Sequence, residues 1–157
     1  MTGDNLGYWI EVTTGFRWQR MLNEGEIKLE APNKTRYQTF FKKMKPGDIV
    51  LHYVTGLVPF SWEGKKSCIV AVSKVPLGPQ LTFGSIVAKC SGTLHLPRPI
   101  LYKDIENIEN KSEGLEKLLR ISMRGYLTNI TESDFKSLIE IYPQNRKVVE
   151  KFMKSKA

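Results

Sequence analysis

The sequence predicts an α/β (α+β) fold, a mixed β-barrel flanked by helices and built as a single domain over residues 1–157. Three observations predict it. Apolar runs of strand length, rich in β-branched and aromatic residues, recur near residues 8–13, 48–55, 67–75 and 86–95. Segments with helical periodicity alternate with them, and most begin at a Ser, Thr or Asn able to cap a helix. The length suits one core that buries about two thirds of the chain's surface.

Taken in order, residues 8–13 (YWIEVT) form the first strand. Alternation puts Tyr8, Ile10 and Val12 on one face and Trp9, Glu11 and Thr13 on the other. Thr13 or Thr14 caps a helix running through Phe16, Trp18, Met21 and Leu22, and Gly25 ends it. Residues 27–32 are an extended connector. Asn33 or Thr35 can cap a second helix whose core stripe is Tyr37, Phe40, Phe41 and Met44. Lys45-Pro46-Gly47-Asp48 has the composition of a tight turn. The two strands that follow are apolar at nearly every position, so both their faces should be covered. Residues 76–85 (PLGPQLTFGS) read as an irregular loop. A further strand spans 86–96, with Gly92 as a bulge and Pro97-Arg98-Pro99 as a break. A short helix over 102–108 and a helix capped by Ser112 follow. Residues 120–129 are polar. Thr131, with Asp134 at the capping-box position, starts a helix whose stripe is Phe135, Leu138, Ile139 and Ile141. Pro143 stops it, and a basic amphipathic helix covers about residues 144–156.

Lys plus Arg outnumber Asp plus Glu by 24 to 16, a net charge of +8. That sign favours an anionic partner, nucleic acid first, with solubility as the plain alternative. Arg17, Lys42, Lys43, Lys45, Lys65, Lys66, Arg120 and Arg124 flank loops and are the candidates for contacts to a phosphate backbone. The loop between the two central strands holds Phe60 and Trp62 beside Gly64, Lys65 and Lys66, where a structural hairpin needs only a two-residue turn. Aromatic faces next to ammonium groups suit a base and its phosphate. The alternative is a lid folded back on the sheet.

Other classes find little support. No run of about eighteen apolar residues predicts a membrane span, and the N-terminus lacks the features of a signal peptide, so a cytoplasmic location is expected. Cys68 and Cys90 sit in apolar runs and read as small buried hydrophobes; no metal-ligand spacing exists and no cofactor is expected. His52 and His95 lie in separate strands and read as core or sheet-face residues. There is no phosphate-binding glycine loop, dinucleotide fingerprint or nucleophile elbow, so no catalysis is expected of this chain. Glu11, Thr13 and Lys28 are the one set that an enzyme of the ASCH type would use.

Several pieces together resemble a known family. They are Tyr8-Trp9-Ile10 opening a strand, Thr13-Thr14 leading into a helix with Trp18, and Lys45-Pro46-Gly47-Asp48 before a strand holding Tyr53. Ile69 to Val75 and Leu119-Arg120-Ile121-Ser122-Met123-Arg124-Gly125 before Ile130-Thr131-Glu132 complete the pattern. Over about residues 8–142 this order and spacing is similar to the EVE domain of the PUA-like superfamily, related to YTH domains. The resemblance implies a reader of modified, methylated bases that flips the base into an aromatic-walled pocket. It also implies the DNA-specificity part of a McrB-type, modification-dependent restriction protein, fused to or assembled with an AAA+ motor and a nuclease. The chain departs from the family at residues 27–32, where the family often keeps a Trp before the Pro. Either Leu29 makes an aliphatic wall, or Trp62 or Phe83 takes over, or the pocket is lost.

The expected pocket is lined by Thr13, Thr14, Leu29, Tyr53, Trp62 and Phe83. Flipping a base costs a few kcal/mol and each aromatic stack returns about 1–3 kcal/mol, so phosphate contacts must supply the net affinity. Burying one methyl contributes only about 0.8 kcal/mol, roughly a factor of four, so selectivity also needs polar groups aimed at the base edge. Thr13 and Thr14 are placed to provide them, with helix capping as their other role. A PUA-like RNA-binding module is the rival within nucleic-acid readers.

Overall fold

The structure, a computed structural model, describes residues 6–32, 38–56, 67–82, 84–123 and 126–155. The first strand is β1, Tyr8–Thr14. Thr14 keeps an extended backbone while its Oγ1 accepts the Arg17 N–H at 3.1 Å, which starts α1, Gly15–Glu24. Gly25, at φ 74°, ends that helix in the left-handed region where a Cβ would be strained. Next come β2, Lys28–Pro32, and α2, Gln38–Lys43. The Lys45–Asp48 turn is closed by the Asp48 N–H on the Lys45 carbonyl at 3.1 Å. The remaining elements are β3 (Asp48–Thr55), β4 (Cys68–Val75), β5 (Gln80–Thr82), β6 (Ser85–Lys89), β7 (Ser91–Leu101), α3 (Tyr102–Glu106), α4 (Glu113–Arg120), β8 (Leu127–Ile130), α5 (Glu132–Glu140) and α6 (Pro143–Lys154).

Among the described residues there are two sheets. Five strands run in the order β7-β4-β3-β1-β8, and three in the order β2-β6-β5. β1 and β3 are parallel, in register from Tyr8 beside Ile49 to Thr14 beside Thr55; the other pairs are antiparallel. The mostly apolar β3 and β4 lie inside the larger sheet, which explains their pattern. One face packs Ile10, Ile49 and Leu51 against Leu115, Leu118, Phe135, Leu138 and Val149 of the C-terminal helices. The opposite face packs Trp9 and Val50 against Leu29, Phe41, Ile86 and Ala88, and packs Val54 and Val70 against Trp18 and Met21 of α1.

The mixed α+β fold is as expected, but the barrel does not close. Closure gives every strand two ladder neighbours. Here β7 and β8 are edges, packed against α6 and α4 respectively, which protects them from pairing with other chains. The strand expected over 86–96 divides at Cys90: β6 belongs to the small sheet and β7 to the large one. Residues 76–85 include β5, and the connector at 28–32 is β2, because each finds a partner in β6. Pro97-Arg98-Pro99 bulges out of β7 without ending it. The pairing jumps from Ile69 opposite Ile100 to Ala71 opposite His95. An edge strand tolerates such prolines. The buried Asn145 of α6 satisfies the bulge, donating to the Arg98 carbonyl at 2.7 Å and accepting the Arg98 N–H at 3.0 Å. The polar stretch 120–129 contains β8, whose Leu127 lies opposite Glu11.

Candidate functional site

The parallel pair β1 and β3 ends at Thr14 and Thr55, while β8 begins opposite Glu11 only at Leu127. Among the described residues, the last three residues of β1 make one backbone bond on the β8 side, the Val12 N–H on the Tyr126 carbonyl at 2.7 Å. A cavity of about 590 Å³ opens there, lined by Val12, Thr13, Thr14, Tyr53, Thr55, Ser67, Ser122, Met123 and Tyr126. α4 delivers Met123 by its own ending. The Met123 N–H reaches the Leu118 carbonyl and the Ser122 N–H the Leu119 carbonyl, both at 2.9 Å, in the double-bonded stop of a Schellman motif. Ser122 and Met123 hold φ of 54° and 58° with no glycine to relieve them, so a strained segment forms part of the wall.

Behind the cavity lies a buried polar network. Glu11 and His52 are register partners on β1 and β3, with Oε1 and Nδ1 2.7 Å apart. Tyr126 Oη donates to Glu11 Oε2 at 2.9 Å and accepts the Glu30 N–H at 2.7 Å. Arg17 Nη1 donates to Glu11 Oε2 at 3.1 Å and to Thr13 Oγ1 at 3.4 Å, and Nη2 donates to the Lys28 carbonyl at 3.2 Å. Burial works against the Arg17 charge, but Tyr126 and Glu11 outweigh it and hold the guanidinium pKa above its ordinary value. Burial, then the Glu11 carboxylate, push the Tyr126 hydroxyl well above its ordinary range, so it stays protonated and donating. His52 Nε2 meets Ser73 Oγ at 2.8 Å, and Ser73 Oγ meets Thr93 Oγ1 at 2.7 Å. This carboxylate–imidazole–hydroxyl order is that of a nucleophilic triad. Ser73 is fully buried, however, with its oxygen shared with Thr93, so no substrate reaches it.

The two threonines divide their roles. Thr14 caps α1. Thr13 accepts from Arg17, which leaves its own hydroxyl hydrogen for a ligand in the cavity. Tyr53 lines the cavity as a buried wall, its hydroxyl pushed upward by burial, with Ser67 pulling the other way. Leu29 is fully buried against the second core and offers no surface to a base. Trp62, Phe83, Lys65, Lys66 and Arg124 lie outside the described residues. The Lys28 ammonium sits 3.8 Å from Glu26 and 3.9 Å from Glu30, and not with Glu11 and Thr13.

The basic residues separate into two groups. Arg17 turns inward beside the cavity, bonding Glu11 and Thr13, whereas Arg120 is the exposed last residue of α4, three positions before the cavity-lining Met123. Lys42 and Lys43 lie exposed in the last turn of α2, and Lys45 lies in the turn before β3, with its Nζ 3.7 Å from Asp48. Sequence reasoning missed Ser67, Ser122, Met123 and Tyr126. Tyr126 had a signal, as the aromatic immediately before the apolar Leu127 in a stretch read only as polar. Among the described residues no group of His, Cys, Asp and Glu is arranged to hold a metal ion, and no helix is long and apolar enough to cross a membrane.

No protein-family model matches the sequence, and no curated protein matches it. Solved structures do. Protein Atu2648 from Agrobacterium tumefaciens superposes with a TM-score of 0.59 at 22% identity, over 84% of this chain and 90% of that one. Rpa0253 from Rhodopseudomonas palustris gives 0.59 at 16% identity, over 85% and 90%. The human THYN1 protein, solved in complex with DNA containing 5-methylcytosine, gives 0.56 at 9% identity, over 96% and 99%. At such identities the likeness establishes the fold alone: this chain shares the mixed α+β fold of these structures, with its two sheets left open.

Proposed function

We propose that this chain is a nucleic-acid-binding reader that accepts a flipped, methylated base in the cavity at the end of β1 and β3. The observation that supports it most is the cavity itself. It joins Thr13 and Thr14 with Tyr53, about forty positions away, and with Tyr126, in a fold that one solved likeness uses on DNA containing 5-methylcytosine. The Thr13 hydroxyl supplies a donor for an acceptor on the base edge. The half-buried Tyr126 supplies aromatic surface, and Tyr53 and Met123, both nearly fully buried, back the cavity wall. The net charge of +8 supplies attraction to phosphate.

The reading extends to DNA as the substrate and to a role as the specificity module of a McrB-type restriction system, with motor and nuclease in a separate part and no catalysis here. Its support is the resemblance of the sequence motifs. A binding screen of oligonucleotides carrying methylated, hydroxymethylated or plain cytosine and adenine, as DNA and as RNA, tests it. A several-fold preference for one modified DNA is expected. Equal affinity for modified and plain strands overturns the reading, and a preference for RNA replaces it with an RNA-binding module.

A further inference from the structure

The large aromatic residues of the described chain are buried or partly buried, with one exception. Phe16, second residue of α1, is 84% exposed. It stands two residues beyond Thr14, so its Cα lies within about 7 Å of the cavity rim. A second hollow, of about 750 Å³, is lined by Phe16 with Gly15, Gln19, Arg20, Asn23 and Gly56, and it shares Thr14 and Thr55 with the base cavity. The two concavities adjoin, with Thr14 and Thr55 in the wall of each, and Phe16 lines the second of them. Its lining holds one cation, Arg20, and no acidic residue. Gln19 Nε2 donates to Asn23 Oδ1 at 2.8 Å, which arrays amide groups along the same helix face. An apolar ring, a guanidinium and amides, with no carboxylate, form a surface for stacked bases and their phosphates and disfavour an acidic protein partner.

An extruded base leaves a gap in its duplex, and apolar wedges commonly fill such a gap. We infer that Phe16 is that wedge: it enters the stack vacated by the base held in the Thr13–Tyr53 cavity, and the substrate is accordingly a duplex. This rests on the reader function proposed above. A single strand has no stack to keep open, so the ring gains little there; on a matched duplex it offsets part of the unstacking cost.

The test compares wild type, Phe16→Ala and Phe16→Leu on a matched duplex with one 5-methylcytosine, on the same strand alone, and on a duplex with an abasic site opposite the modified base. Phe16 is exposed, so thermal midpoints should match, and they are measured alongside. Phe16→Ala is expected to lose about tenfold on the matched duplex, markedly less on the abasic-opposed duplex, and under twofold on the single strand. Phe16→Leu should recover part of the loss. Equal losses on duplex and single strand, or no loss on the duplex, overturn the wedge while wild type still prefers the methylated base. A wild type indifferent to methylation on every substrate instead overturns the reader function. 2-Aminopurine beside the modified base gives a separate readout: its fluorescence should rise on binding wild type, and an unchanged rise with Phe16→Ala also overturns the wedge.

Discussion

The indole Nε1 of Trp9 donates to the buried carboxylate of Asp48 at 3.0 Å, tying the start of β1 to the turn that opens β3. The same carboxylate accepts the Gly7 N–H at 2.8 Å and the Lys45 N–H at 2.9 Å. Two short sequence signatures, Tyr8-Trp9 and Lys45-Pro46-Gly47-Asp48, are thus one structural joint. Asp48→Ala orphans three N–H donors in a protected site and should cost about 3 kcal/mol or more of unfolding free energy. Gly7→Ala should also destabilise, by about 1–3 kcal/mol, because a Cβ there lies 2.6 Å from Asp48 Oδ2 and the carboxylate is held in place. Urea denaturation measures both; a midpoint unchanged by Asp48→Ala refutes this account of the joint.

Arg17 and Arg120 should separate cleanly. Arg17 neutralises the fully buried Glu11, so Arg17→Ala leaves a buried carboxylate without its cation and should destabilise by about 3 kcal/mol. Arg120 is exposed, and Arg120→Ala should leave stability within about 0.5 kcal/mol while weakening DNA binding. Paired denaturation and binding curves check this. A stable Arg17→Ala variant with reduced DNA affinity would return Arg17 to the phosphate-contact role expected from the sequence.

The adjacent threonines should behave oppositely. Thr14→Ala removes the cap of α1 and should lower stability by about 1 kcal/mol with little change in base preference. Thr13→Val keeps the shape of a nearly buried side chain but removes the hydroxyl, so it should reduce the preference for the modified base more than it reduces stability. Affinity ratios for methylated over plain DNA decide between the two.

Affinity should fall steeply with salt. Each neutralised phosphate contributes a slope of about −0.9 in log affinity against log salt, so a rim of several cations gives a slope of several units. Lys42→Ala with Lys43→Ala, and separately Arg120→Ala, should each make that slope shallower, since all three are exposed cations. A flat dependence would assign the net charge of +8 to solubility.

His95 gives the pH prediction. Partial desolvation of this largely exposed ring, and then His52, lower its pKa below the ordinary 6.5. The unfolded chain therefore binds the proton more readily than the folded one. The stability from neutral His95 is complete above about pH 6.5 and declines as pH falls from there through the lowered folded value. The thermal midpoint should drop over that range, and His95→Gln should make the drop shallower. An identical profile for His95→Gln would show that other groups carry the acid sensitivity.

The sequence by itself determined the local features. Alternation in YWIEVT assigned Tyr8 and Ile10 to one core and Trp9 to the other. Thr131 with Asp134, Ser112 and Gly25 fixed helix ends where they were expected, because caps and stops act within one turn of the chain. Phe16, grouped from the sequence with Trp18, Met21 and Leu22, proves exposed: at about 100° per residue it lies some 160° from Trp18. What lies between distant segments only the tertiary structure decided. Glu11 meets His52 through a parallel register set by a crossover of more than thirty residues, and no local pattern encodes that pairing. Leu29 is sealed in the core because β2 pairs with β6, although its place before Pro32 suggested a pocket wall. Only the tertiary structure leaves the barrel open, with β7 and β8 ending the large sheet and packed against α6 and α4. Tyr126 becomes part of the site because it directly precedes β8, next to the pairing of Leu127 with Glu11 and beside the end of β1; that placement belongs to neither strand's sequence alone.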